Sequence, residues 1–89
     1  MRSSVSKNFR KKLDQLPAVV QEQAARAYAL WRSDPHHPSL QFKRVSLNQP
    51  IYSVRIGIGH RALGLRTDEQ IYWFWIGSHA EYDELLRRL

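Results

Sequence analysis

The chain contains no cysteine, so disulfides and thiolate metal sites are excluded and a reducing compartment is its natural home. Acidic residues are scarce: 8 Asp and Glu stand against 14 Lys and Arg, a formal net charge of +6. An excess of this size in 89 residues favours a polyanionic partner, nucleic acid or an acidic protein, over charge that serves solubility alone. No apolar run approaches the roughly 20 residues of a membrane span. The first residues, MRSSVSKNFRKK, lack the apolar centre of a signal peptide. These absences predict a soluble cytoplasmic protein with no membrane partner. Repeats and low-complexity tracts are also missing, and the length fits one small domain over residues 1–89 with a single core.

What is present divides into a helical half and a strand half. Ser6 is a helix N-cap; Phe9, Leu13 and Leu16 follow at i, i+4, i+7 as one apolar stripe among Lys7, Arg10, Lys11 and Lys12. Pro17 breaks that run and suits the first turn of a second helix. The second helix carries Val20, Ala24, Ala27, Tyr28 and Trp31 on one side and ends at Asp34-Pro35, with a loop through Ser39. From Leu40 the period becomes two. Val45 and Leu47 fall out of phase with Leu40 and Phe42, which hints at a bulge. Tyr52, Val54, Ile56 and Ile58 share one face of the next strand, and Gly57-Ile58-Gly59 supplies a hairpin turn into Arg61–Arg66. Ile71 to Ile76 is unbroken apolar and aromatic, the composition of a buried strand. Its alternation puts Ile71, Trp73 and Trp75 on one face and Tyr72, Phe74 and Ile76 on the other.

Gly77 then permits a turn, and Ser78 with Glu81 forms a capping box. A last helix therefore starts with His79 at its first position and Tyr82 one turn on. Residues 1 to 5 fit a short edge strand or a loose end. The fold class is α+β: two N-terminal helices packed on an antiparallel sheet of about four strands, with a short C-terminal helix. The helical pair covers only one sheet face. The other is left to Tyr82, Leu85, Leu86 and Leu89 and, beyond them, to a partner or to bases.

Chemistry concentrates in the hairpin Tyr52–Arg66 and at the strand-to-helix joint. If Val54 opposes Leu63 and Tyr52 opposes Leu65, then Ser53, Arg55, Ala62, Gly64 and Arg66 share the opposite face, a shallow cationic surface. A slip of one residue instead sets Arg55 beside Arg61. The sequence leaves both registers open. Arginine suits phosphate because its planar fork makes two parallel charged hydrogen bonds. His79 suits general acid or base work. Tyr82 is a stacking or proton-donating group, or else part of the core stripe of its helix. Glu81, Asp83 and Glu84 read as helix-start charges. Gly57-x-Gly59 opens no helix and is a turn, and His36-His37 has no acidic or Cys neighbours to complete a metal site.

These segments, NFRKKLDQLP, HPSLQFKRV, IYSVRIGIGHRALGLR and WFWIGSHAEYDELL, resemble the RelE/ParE superfamily of type II toxin–antitoxin toxins, over nearly the whole chain from Phe9. The resemblance is nearest to the RelE-like branch, endoribonucleases that cut mRNA, generally on the ribosome. It implies a transesterification by the ribose 2′-hydroxyl with no metal or other cofactor. It implies Arg55, Arg61, His79 and Tyr82 as catalytic residues and Lys43, Arg44, Ser53, His60 and Arg66 as RNA-binding residues. It also implies a cognate antitoxin partner, acidic where it binds and laid across the open sheet face, with the toxin a monomer or part of a hetero-oligomer. RelE toxins place several lysines around the site; here Lys43 is the only lysine after residue 12, and Ser53 stands where a lysine is common. The alternatives are a ParE-like toxin that inhibits gyrase without cutting RNA, and an RNA- or partner-binding module that has lost catalysis.

Overall fold

Capping chemistry sets the helices where the sequence predicts them. In the computed structural model, which describes residues 1–89, the Phe9 N–H donates to Ser6 Oγ at 3.0 Å and opens helix α1 (Lys7–Asp14). Phe9 is buried, with Leu13 and Leu16 packed beside it. Pro17 is the N-cap of α2 (Ala18–Ser33), whose buried residues are Val20, Ala24 and Trp31. The Ser78–Glu81 capping box is complete: the Glu81 N–H donates to Ser78 Oγ at 3.1 Å and the Ser78 N–H to Glu81 Oε1 at 2.8 Å. It starts α3 (His79–Leu86). No helix is long and apolar enough to cross a membrane.

The sheet has five strands, in the order β1-β5-β4-β3-β2. These are β1 (Arg2–Val5), β2 (Lys43–Arg44), β3 (Ile51–Ile56), β4 (His60–Thr67) and β5 (Gln70–Ser78). Strands β2 to β5 form the antiparallel meander that the sequence predicts. The first strand is an addition to it. Residues 2–5 take the edge position and pair in parallel with β5, Val5 opposite Trp73. The sheet is therefore mixed. The phase break at Val45 and Leu47 is not a bulge. A 3-10 turn (Pro38–Leu40) and a left-handed Gln41 (φ 48°) precede the two-residue β2, and Leu47 lies 98 % exposed outside it.

Two features of strand pairing differ from simple alternation in the first register considered, one of them a choice the sequence leaves open. The hairpin takes the slipped register: Ser53 faces Leu63, Val54 faces Ala62 and Arg55 faces Arg61. This buries Val54, Ile56 and Ala62 together under the helices, while Ser53 and Leu63 face the other way. Gly57 makes the turn possible at φ 57°, and the strand ends before Ile58, which is 81 % exposed. The second difference is a bulge between β4 and β5. Leu63 faces Trp75 and Gly64 faces Trp73, so Phe74 is the extra residue. Ile71, Trp73 and Ile76 thus face the helices, and Phe74 and Trp75 face α3. Simple alternation assigns Trp75 and Ile76 to the wrong sides.

Two apolar clusters result. The larger lies between the sheet and α1 and α2, with Trp31 meeting the Trp73 ring edge-on at a centroid distance of 5.4 Å. The smaller lies on the opposite face, where Ile51, Leu63 and Tyr82 are buried and Leu85 and Leu86 lie beside them. The Tyr82 hydroxyl donates to Ser53 Oγ at 3.0 Å in that interior. Gly77 is a strand residue and not a turn. Its role is room, because a Cβ there would lie 2.6 Å from the Trp75 ring and 2.9 Å from Glu81 Oε1.

Gly77→Ala therefore overpacks this joint and should lower stability by about 1–3 kcal/mol in urea unfolding. Tyr82→Phe and Ser53→Ala should each cost about 1 kcal/mol, and the double variant little more than either, because both delete one buried bond. Glu81 is held below the ordinary glutamate pKa by the Ser78 backbone N–H first, then by the Ser78 hydroxyl and the Lys12 and His60 charges. A depressed carboxylate adds stability above its unfolded pKa and loses it as pH falls through the folded value. Glu81→Gln should flatten the acid side of a stability–pH curve and leave its slope at neutral pH unchanged.

Candidate functional site

The site follows from three neighbouring placements. β2 and β3 bring Lys43 beside Ser53. The hairpin brings Arg61 opposite Arg55. The capping box, together with a 2.8 Å bond from the His79 N–H to the Gly59 carbonyl, sets the start of α3 against the hairpin turn. Between them opens a cleft of about 490 Å³, lined by Gln41, Lys43, Arg61, His79, Tyr82 and Asp83 among others.

Tyr82 is the pivot of this cleft. The residue is 6 % exposed and packs with Ile51 and Leu63, as the core-stripe alternative for its helix expects. The Arg61 guanidinium carbon lies 5.9 Å from the ring centroid, and the His79 ring centroid lies 6.0 Å from it. A fixed aromatic ring thus holds a cation and an imidazole beside it. Arg61 donates to the His60 carbonyl at 2.8 Å, which orients its fork. Its pKa is lowered from the ordinary guanidinium value, first by burial and then by Arg55; Tyr82 and Asp83 act in the opposite direction. Arg55 stands across the hairpin from Arg61 but does not line the cleft, and it donates to the Gly57 carbonyl at 3.0 Å.

The other expected RNA-binding residues separate. Lys43 is exposed in the cleft. Arg44 also borders it, but its Nε donates to the Ser46 carbonyl at 2.8 Å. Ser53 is 2 % exposed at the floor of the cleft and bonded to Tyr82. His60 and Arg66 fall on the strand face of Ala62 and Gly64, toward the helices. There the Arg66 guanidinium lies 5.2 Å from the Tyr52 ring centroid. The slipped register removes both from the cleft.

One residue of the site reads only as a helix-start charge in the sequence. Asp83 Oδ2 lies 3.0 Å from His79 Nδ1, and both side chains are about half exposed. The signal available was their i,i+4 spacing on one helix face. Glu84, by contrast, turns outward and pairs with Arg87 at 2.9 Å. No group of three or more His, Cys, Asp or Glu side chains is placed to hold a metal ion.

Comparison with known proteins agrees with this architecture. Solved structures with the same fold include the RelE toxin in the RelB–RelE antitoxin–toxin complex of Methanococcus jannaschii. It has a TM-score of 0.71 at 13 % identity, covering 91 % of this chain and 95 % of that one. The isolated E. coli RelE toxin matches with a TM-score of 0.66 at 16 % identity, covering 99 % and 98 %. The YoeB/ParE toxin of Agrobacterium tumefaciens matches with a TM-score of 0.69 at 12 % identity, covering 89 % and 99 %. At these identities the likeness is one of fold. No curated protein sequence matches the chain. The profile of the ParE-like toxin domain matches residues 18–84, from the first residue of α2 to Glu84 in α3. With that profile spanning most of its length, the chain belongs to the ParE-like toxin domain family and so to the RelE/ParE superfamily of toxin–antitoxin toxins.

Proposed function

We propose that this toxin is an endoribonuclease that cleaves mRNA on the ribosome by 2′-hydroxyl transesterification and is held inactive by a cognate antitoxin. The observation that carries the reading is the Arg61–Tyr82–His79 arrangement, a guanidinium and an imidazole beside one buried ring at 5.9 and 6.0 Å. In the reaction the 2′-oxygen bonds to phosphorus and gives up its proton. The bond from phosphorus to the 5′-oxygen breaks, and that oxygen takes a proton. The products are a 2′,3′-cyclic phosphate and a free 5′-hydroxyl. Arg61, with Lys43 and Arg55, stabilises the charge that builds on the phosphorane oxygens. His79 moves a proton at one of the two oxygens. The Tyr82 hydroxyl is engaged with Ser53, which makes Tyr82 the scaffold of the pair.

The net charge of +6 supports an RNA-rich target. The RelE proteins of M. jannaschii and Pyrococcus horikoshii were crystallised with RelB. A partner of the same kind, acidic in its binding segment, would neutralise the cleft. A second reading is favoured by the matched profile itself, which is ParE-like. In that reading the basic surface binds a protein, gyrase, and His79 is structural.

Induced expression separates the two. The ribonuclease reading expects translation arrest with messages ending in 2′,3′-cyclic phosphate or 3′-phosphate. Arg61→Ala should relieve the arrest and slow cleavage by roughly 10²–10³-fold. Intact messages at arrest, accompanied by a DNA-damage response, would overturn it in favour of the gyrase reading.

A further inference from the structure

We infer that Asp83 is a positioning residue that keeps the proton of neutral His79 on Nδ1 and so leaves Nε2 as the nitrogen offered to substrate; for the reacting group this rests on the ribonuclease reading. An ionised carboxylate only accepts hydrogen bonds. The negative charge 3.0 Å from His79 Nδ1 favours a hydrogen over a lone pair on that nitrogen, whether the ring is neutral or charged. In the neutral ring Nε2 then has the free lone pair and is the base. In the charged ring Nε2–H is the acid. A single geometry serves both halves of a proton transfer.

The backbone under this pair is held still. The His79 N–H is bonded to the Gly59 carbonyl at 2.8 Å, the capping box closes the first turn, and Tyr82 between the two residues is buried. Only side-chain torsions remain, and the attraction between Nδ1 and the Asp83 carboxylate at 3.0 Å biases those of the ring.

The plain alternative is an exposed i,i+4 pair that serves the helix alone. Such pairs contribute little. Glu84 already supplies that service on the outer surface, 2.9 Å from Arg87 and 3.7 Å from Arg88. Asp83 instead lines the cationic cleft with Lys43, Arg44 and Arg61, where its charge opposes the binding of an anion. A carboxylate in that place is a cost to affinity that the orientation of His79 offsets.

The two roles move different observables. Nitrogen-15 NMR of histidine-labelled full-length protein should show the Nδ1–H form of neutral His79. In Asp83→Ala the ring should shift to the Nε2–H form that an unrestrained histidine favours, and Asp83→Glu should restore Nδ1–H. RNA cleavage by Asp83→Ala should fall roughly ten- to a hundred-fold, less than for a fully buried orienting carboxylate. Its affinity for a short single-stranded RNA should stay the same or tighten, because a negative charge has left the cleft. An unchanged tautomer in Asp83→Ala, or a changed tautomer with undiminished cleavage, would overturn the inference. A tautomer that shifts as expected in a protein that cuts no RNA supports the positioning role and overturns the ribonuclease reading alone.

Discussion

Everything at the cleft depends on how β3 registers against β4. With Val54 facing Ala62, the apolar side chains of the hairpin enter the larger core, and the intervening residues are committed to the face under α3. That single choice sets Ser53 beneath Tyr82 and Arg55 across from Arg61. Two like charges directly opposite each other cost on the order of 0.2–1 kcal/mol. Burial first, and then the facing Arg55, lowers the Arg61 pKa from the ordinary guanidinium value. The core accepts this strain because the register buries Val54, Ile56 and Ala62 together under the helices and keeps Leu63 for the other cluster.

The bulge at Phe74 has a similar reach. One extra residue in β5 turns Trp73 and Ile76 toward the helices while giving Phe74 and Trp75 to the other face. Without it Trp75 would turn toward the helices and be lost to the cluster under α3. Trp75 also receives the Lys12 ammonium, 4.9 Å from the ring centroid, so α1 is tied to the strand that launches α3. Gly77 leaves space for that ring, and Ser78 and Glu81 then begin the helix. The position of His79 is the end product of a bulge, a missing side chain and a cap in succession.

Much of this was legible along the chain. The caps at Ser6 and Ser78 are local bonds spanning three residues, and the sequence displays both partners. The Phe9–Leu16 stripe and the glycine-bounded hairpin turn are local for the same reason. Arg61 and His79 stood out because few residue types can do phosphate chemistry. Other parts were hidden. The parallel pairing of Arg2–Val5 with β5 joins segments far apart in the chain, and four mostly polar residues carry no periodicity to announce it. His60 and Arg66 looked equal to Arg61 in composition, and only the register sends them to the opposite face.

The sequence by itself determined the element types, the basic character of the surface and the identity of the groups able to act on a phosphate. Those properties reside in single residues or in bonds a few positions apart. Tertiary structure alone decided which of those groups share a cleft. Strand alternation has a period of two, so a slip or an insertion of one residue reverses every side chain beyond it. The outcome is selected by how well Val54, Ala62, Trp73 and Tyr82 fill two cores on opposite sides of the sheet. That is a property of the packed whole, and no segment carries it alone.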